Sequence, residues 1–488
     1  MAWTVVFRAD ASSEIGFGHL VRCLSLAAAV EALGGKAAFV CRRHDGAARG
    51  RVPHRLVELP DEIDEAEDAA RTCAAAPGAS AIVVDHYGLG AAWWSAVAQH
   101  HRLAVIDDCT RQGLDPLADV VINQNPGIGA EDYPGVRLVL AGPHHALLRS
   151  AFPEERDEER PAAARVERIL VTLGGADPND ATSLVLEALR AVKGAFEIDL
   201  VVGPGFRHAE AVATRAGRDA RIRIHRDVAN LAPLMARADL AVTGGGTTLY
   251  ELACVGLPAV AIEIADNQAV VCRRLDEAGA VFRLGRQGEL TAADVAAGVR
   301  ELIADGERRA SMRREAMGLV DGRGAQRVAQ ALREAGAIAL RPAKAADAAA
   351  LLAWRNDPLT RAMSLQHDLV TEDEHVSWFA HVLIDSTRRL LVGEIAGRAC
   401  GQVRFDFGDG DAEVSITLAP EFRGRGLGVA LLEAGVRWFR ERHAGARLIA
   451  TIRPHNEPSK RIFARCGFVH EGMTRIGNEH AERWSLGG

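Results

Sequence analysis

The chain reads as short, almost wholly apolar runs that end in polar residues, separated by stretches rich in alanine and leucine. Thr4-Val5-Val6-Phe7-Arg8 opens the series and predicts a buried strand; residues 24–30 predict a helix. The apolar run returns at 36–41, 81–87, 103–108 and 118–122, with helical stretches such as 93–99 between. Apolar strands that do not alternate, spaced by helices, predict a parallel sheet covered on both faces. A charged, proline-bounded stretch at 153–161 interrupts the pattern. It then restarts with strands at 168–173, 198–203, 222–225, 239–243 and 258–262. Beyond Ile338 the period changes. Residues 410–418 alternate like a half-buried strand, run into a loop of glycine and arginine, and lead to a helix over 429–440. The expected fold class is therefore α/β: two Rossmann-type units, 1–152 and 153–335, followed by a third α/β unit at 338–488.

Composition narrows the function classes. Of 488 residues 48% are hydrophobic and 25% charged, which is ordinary globular protein. A net charge of -7 provides no electrostatic footprint for nucleic acid or an anionic membrane, so neither is an expected partner. No apolar run approaches the ~18 residues of a membrane helix, and the N-terminus has no signal-peptide pattern; a cytoplasmic location is expected. The eight cysteines, at 23, 41, 73, 109, 254, 272, 400 and 466, form no Cys-x-x-Cys pair. Reduced thiols are expected, with no zinc framework.

Candidate chemistry gathers at three glycine-containing stretches. In Ile15-Gly16-Phe17-Gly18-His19-Leu20-Val21-Arg22-Cys23, Gly16 and Gly18 let the backbone turn tightly and turn the next helix's first amides toward an anion. The third glycine of a dinucleotide fingerprint is missing. In its place the loop carries His19, able to exchange a proton near neutral pH, or else to cap the helix. Ligands of parallel sheets bind outside the carboxyl ends of the strands. Asp85, His86, Tyr87, Asp107, Asp108 and Asn123-Gln124-Asn125 all fall there, although each alone is equally a cap or turn former. In the second unit Gly174 and Gly175 follow a strand, and Gly244-Gly245-Gly246-Thr247-Thr248 opens a helix. Free amides, two hydroxyls and a helix end suit a diphosphate. Glu251 has the two-oxygen geometry for a ribose diol, or is a solvated acid of the first helical turn. Asn267 and Gln268 follow the next strand. In the third unit Arg423-Gly424-Arg425-Gly426-Leu427-Gly428 offers amides, charge and a helix end to a pyrophosphate.

Two α/β units facing each other are the plan of the GT-B glycosyltransferases. Thr243 to Glu251, Gly256-Leu257-Pro258 and Asn267-Gln268 resemble the nucleotide-sugar half of the bacterial lipid-II N-acetylglucosaminyltransferase group. Arg8-Ala9-Asp10-Ala11-Ser12, Ile15 to His19, Arg22-Cys23-Leu24, Asp85-His86-Tyr87, Asp107-Asp108 and Asn123-Gln124-Asn125 are similar to the UDP-sugar hydrolase family of pseudaminic acid biosynthesis. This resemblance covers about residues 4–335. It implies hydrolysis of UDP-2,4-diacetamido-2,4,6-trideoxy-β-L-altropyranose, with His19 as the general base or the residue orienting water. It also implies a substrate site of Arg8, Asp10, Gly16, Gly18, Tyr87, Asn125, Gly174, Gly245, Gly246, Thr247, Thr248 and Glu251. Asn267 and Gln268 bridge sugar and phosphates in that picture, and no metal is expected.

The arginine–glycine loop, with Asn456-Glu457-Pro458-Ser459 and Phe463 to Phe468, resembles the GNAT acetyltransferases. That implies acetyl-CoA as co-substrate, held by Leu418, Arg423, Gly424, Arg425, Gly426, Leu427, Gly428, Asn456 and Ser459. Many members carry a tyrosine acid where Phe463 stands; the three tyrosines here, at 87, 133 and 250, lie outside this unit. Glu413 is a candidate base for the acceptor amine, or an exposed strand residue. The two resemblances together imply a bifunctional enzyme that N-acetylates a UDP-4-amino-4,6-dideoxy sugar and then hydrolyses the product. A glycosyltransferase needing an acceptor, and a UDP-sugar-binding module beside a protein acetyltransferase, are the alternatives. Neither gives His19 a reason.

Overall fold

The computed structural model describes residues 3–487 apart from 13, 14, 45, 47, 112, 115, 116, 176, 178, 204, 207, 336, 337, 396, 397, 409, 424–426 and 478, and the side chain of 267. Seven parallel strands make the first sheet, in the order Arg55–Leu59, Lys36–Arg42, Thr4–Ala9, Ala81–Asp85, Leu103–Ile106, Val120–Asn123, Leu138–Ala141. Its inner strands are buried along nearly their whole length, as their unbroken Val, Ile and Ala content requires of a sheet covered on both faces. The second sheet repeats the order with six parallel strands: Ile222–Arg226, Glu197–Val202, Arg168–Thr172, Leu240–Gly244, Ala259–Glu263, Phe282–Arg286. In both, strand order reverses between the first and fourth strands, and the crevice beyond that switch point is where ligands bind in such sheets.

The strands the pattern missed, Arg55–Leu59, Leu138–Ala141 and Phe282–Arg286, lie at or beside sheet edges and are largely half-exposed, so their apolar runs are diluted. The two sheets also exchange their ends. Phe152 is wholly buried in the second unit's core beside Leu249 and Tyr250, while the helix Gly324–Ala335 returns to pack Val328, Ala329 and Leu332 into the first core. A Cβ at Gly324 would stand 2.2 Å from the Ala146 carbonyl oxygen, so only glycine permits this crossing.

The third sheet is mostly antiparallel, ordered Ala339–Pro342, Arg388–Ile395, Arg398–Phe407, Asp411–Leu418, Arg447–Ile452, Glu479–Leu486, Val469–Ile476. Its one parallel pair, Asp411–Leu418 with Arg447–Ile452, is laddered only from Asp411–Arg447 to Glu413–Ile449. Beyond that rung the two strands part. No helix among the described residues is long and apolar enough to cross a membrane.

Candidate active site

The backbone after Thr4–Ala9 turns through Gly16, whose φ of +84° is the left-handed region glycine tolerates best, and enters the helix Gly18–Ala32. His19 therefore sits inside the first helical turn and not on the loop, which corrects the placement expected from the sequence. The consequence is geometric: Arg22, three residues on, shares its helix face. Open space surrounds Gly16 and Gly18.

His19 meets the end of the strand Ala81–Asp85. Its Nδ1 lies 2.6 Å from Asp85 Oδ1, and Asp85 is buried. Arg22 grips the same carboxylate through Nε and through Nη2, the latter at 2.6 Å. Its Nη1 and Nη2 reach the two oxygens of Asp108 at 2.9 and 2.8 Å. Burial alone would raise the Asp85 carboxyl, but the charges and hydrogen bonds of Arg22 and His19 outweigh it and hold the group well below the usual carboxylate range. Asp108 is lowered by the same balance, burial opposing and Arg22 prevailing. An ionised Asp85 accepts from Nδ1–H, and that tautomer leaves a lone pair on Nε2. Tyr87 stands edge-on to the His19 ring, centroids 4.6 Å apart, and donates to Asp108 Oδ2 at 2.8 Å. Asn125 donates to the Asp108 carbonyl at 2.8 Å.

Arg8 is placed differently from the rest. It is fully buried and donates to Asp10 and Asp68 through Nε, Nη1 and Nη2 at 2.6 to 3.1 Å. Asp10 also accepts from His86 Nε2 at 2.9 Å and from the Arg42 amide at 2.7 Å. Arg8 and Asp10 thus brace the crevice floor from behind. Arg22, Asp85 and Asp108, which strand ends and motif resemblance brought to notice without a role, form the ionic centre of the site. The readable signal was the three-residue spacing of Arg22 from His19.

The second unit faces this crevice. A Cβ at Gly175 would lie 3.8 Å from the ring of Phe17, and Tyr250 donates to Asn125 Oδ1 at 2.9 Å. Gly174, with φ +92°, has open space beside it, as does Gly246 up to Gln268 Nε2 at 3.9 Å. At Gly245 a Cβ would stand 2.2 Å from Cys272 Sγ, so this glycine is required by packing. Gln268 Oε1 accepts from the amides of Gly245 and Ile264 at 3.0 and 2.9 Å, pinning the glycine loop to the next strand. Its carbonyl is thereby turned into the loop. Only the backbone of Asn267 is described. Thr247 precedes the helix Thr248–Val255 and both threonines are half-exposed.

Glu251, in the first turn of that helix, is buried, with Arg149 Nη2 3.6 Å from Oε1. Burial pushes its carboxyl up to about 7 against the partial compensation of Arg149. A folded value above the ordinary one means that ionising Glu251 costs stability as pH rises from the carboxylate range through 7. Glu251→Gln is expected to match the parent near pH 4.5 and to exceed it at pH 8, by at most roughly 3 kcal/mol. Urea unfolding at the two pH values measures the difference.

In the third unit Gly428, one of the expected cofactor residues, lies beside the strand end at Leu418. A Cβ on Gly428 would meet Ile462 Cδ1 at 2.5 Å and Leu418 Cδ1 at 3.6 Å, so the helices Leu427–Arg440 and Glu457–Arg465 touch there through glycine. Arg423 directs Nη1 to Asp357 Oδ1 and Nη2 to Thr360 Oγ1, both at 2.6 Å. Asn456 caps its helix by accepting from the Ser459 amide at 3.1 Å. Gly424, Arg425 and Gly426 lie outside the described residues. Glu413 is exposed on the last rung before the strands part, about 16 Å of extended chain from Leu418. Phe463 is buried, its ring edge-on to Phe468 at 4.9 Å.

Residues 338–469 match the acetyltransferase (GNAT) domain, and through this unit the chain belongs to that family. Residues 168–331 match the glycosyltransferase family 28 C-terminal domain. The chain is thus a family-28-like sugar-nucleotide module fused to a GNAT acetyltransferase domain. It is 24% identical over 51% of its chain and 86% of the relative's length to the UDP-2,4-diacetamido-2,4,6-trideoxy-β-L-altropyranose hydrolase of Campylobacter jejuni. It is 31% identical, over 28% of the chain, to 86% of a putative phosphinothricin acetyltransferase of Bacillus subtilis. It spans only 54% and 59% of two further curated relatives, an uncharacterized protein of Methanocaldococcus jannaschii and a spore coat polysaccharide biosynthesis protein of Bacillus subtilis. Among solved structures, MurG of Acinetobacter baumannii superposes with a TM-score of 0.52 at 15% identity, covering 68% of this chain and 99% of that one. That likeness establishes the GT-B-like arrangement of the first two sheets.

Proposed function

We propose that the chain is a bifunctional sugar-nucleotide enzyme of pseudaminic acid biosynthesis. Its GNAT domain N-acetylates a UDP-4-amino-4,6-dideoxy sugar with acetyl-CoA. Its paired sheets hydrolyse UDP-2,4-diacetamido-2,4,6-trideoxy-β-L-altropyranose to UDP and the free sugar. The observation carrying the second activity is the His19–Asp85 pair, clamped by Arg22 and aimed into a crevice that the glycine loop faces.

In this reading Asp85 holds the Nδ1–H tautomer, and His19 Nε2 accepts a proton from water as that water attacks the anomeric carbon. The bond from that carbon to the β-phosphate oxygen breaks, its electron pair leaves with UDP, and the configuration inverts. The free amides around Gly246 and the hydroxyls of Thr247 and Thr248 are the preorganised donors for the departing diphosphate. Glu251 accepts from the ribose diol. In the GNAT domain the amine attacks the acetyl carbonyl and gives up a proton to water or Glu413, the carbon–sulfur bond breaks and CoA leaves as thiolate; with Phe463 in place of an acid, water supplies the thiolate's proton.

Mass spectrometry of the chain with acetyl-CoA and the UDP-4-amino sugar tests the reading. A gain of one acetyl group followed by free UDP and a diacetamido hexose is expected. Acetylation with UDP release only after an acceptor is added would replace hydrolysis with glycosyl transfer. Gly426→Leu, in the arginine–glycine loop that resembles the GNAT cofactor loop, is expected to abolish acetyl transfer and leave UDP release from the acetylated substrate within about twofold.

A further inference from the structure

A continuous line of buried hydrogen bonds joins the second unit's glycine loop to His19. It begins at Tyr250, in the turn that also carries Thr248 and Glu251; the phenol is 2% exposed. Its hydroxyl donates to Asn125 Oδ1 at 2.9 Å, across the gap between the two sheets. Asn125 is held rigidly, its own amide donating to Asn123 Oδ1 at 3.0 Å and its Nδ2 to the Asp108 carbonyl at 2.8 Å. The Asp108 carboxylate is clamped by Arg22, which also holds Asp85, and Asp85 holds His19.

Every joint of this line is buried or nearly so, and an unmade bond at any of them leaves a desolvated polar group without a partner. A displacement at one joint therefore either breaks a buried bond or carries the next joint with it. A nucleotide that shifts the start of the helix Thr248–Val255 moves Tyr250 with it, and Asn125 passes the displacement to the loop bearing Asp108. Resting on the reading above, we infer that Tyr250 and Asn125 are positioning residues that report nucleotide occupancy of the glycine loop to the His19–Asp85 pair. The pair reaches its working geometry when the nucleotide is seated. Water is then activated only beside a bound sugar nucleotide. Tyr250 touches none of the reacting atoms in this scheme.

Tyr250→Phe removes the hydroxyl and keeps the ring that fills the core. Its expected effect is a roughly 10- to 100-fold fall in kcat for UDP-sugar hydrolysis. KM and the Kd for UDP should stay within narrow limits of the parent, while the melting temperature falls by a few degrees because the buried Asn125 Oδ1 loses its donor. Asn125→Ala should fall similarly, and the double variant no further than Asn125→Ala alone. A second measurement is independent of turnover: imidazole 15N shifts of His19 during titration with UDP alone. The parent is expected to show a shift on UDP binding that Tyr250→Phe lacks. An equal shift in both proteins, or UDP binding that leaves His19 unmoved in the parent, overturns this inference alone. Unchanged kcat in Tyr250→Phe, or a fall in rate matched by an equally weaker UDP binding, also overturns it. Failure of the parent to hydrolyse any UDP-sugar overturns the preceding reading while the UDP titration still decides this one. Failure to bind UDP overturns both.

Discussion

His19→Asn is expected to release UDP at least 10²- to 10⁴-fold more slowly than the parent, the range a general base contributes, while acetyl transfer stays within about twofold. Asp85→Asn is the sharper experiment. The amide nitrogen in that variant donates toward Nδ1 and favours the tautomer with its proton on Nε2, so the lone pair facing water is lost. The geometry is nearly preserved, and the rate falls on the order of 10³- to 10⁴-fold with KM little changed. Stopped assays of UDP formation on the diacetamido substrate read both variants. A fully active Asp85→Asn enzyme would show that the carboxylate merely anchors Arg22. The variant also leaves the arginine with only the half-buried Asp108 as its anion, so its melting curve must accompany the kinetics.

Arg22→Met is expected to lower unfolding free energy by about 3–5 kcal/mol at pH 7.5, because it strands the buried Asp85 and half-buried Asp108 carboxylates without their cation. The parent holds Asp85 and Asp108 below their ordinary range, so their contribution is present above the unfolded carboxylate pKa and is lost as pH falls through the folded values. In the variant the sign turns. Burial without Arg22 pushes both carboxyls up, and protonation relieves them. The difference between the two proteins therefore narrows as pH falls from 7.5 toward 4.5, which urea unfolding at several pH values resolves. A difference independent of pH would assign Arg22 a packing role only.

The architecture was legible to the extent that burial is complete. Strands such as Ala81–Asp85 and Val120–Asn123 are buried at every residue, so their composition has no polar alternation to confuse the reading. Edge strands such as Arg55–Leu59 mix charge with apolar residues because one side meets solvent, and they went unread. His19 was legible as chemistry because no apolar packing need accounts for a histidine between two glycines and a helix. The pattern predicts the helix from residue 24, whereas it begins at Gly18, because Gly18 propagates a helix poorly yet begins one here without strain.

Local sequence thus determined the three-unit plan, the glycine turns and the candidate base, because each depends on neighbours a few residues apart. Only the tertiary structure decided what those groups touch. Arg8 is tied to Asp68, Asp85 lies 66 residues from His19, and Tyr250 lies 125 residues from Asn125. Such partners are chosen by strand order and by the packing of one sheet against the other. A carboxylate at a strand end is the same residue whether it caps a turn or orients a base, and its neighbours in space determine which.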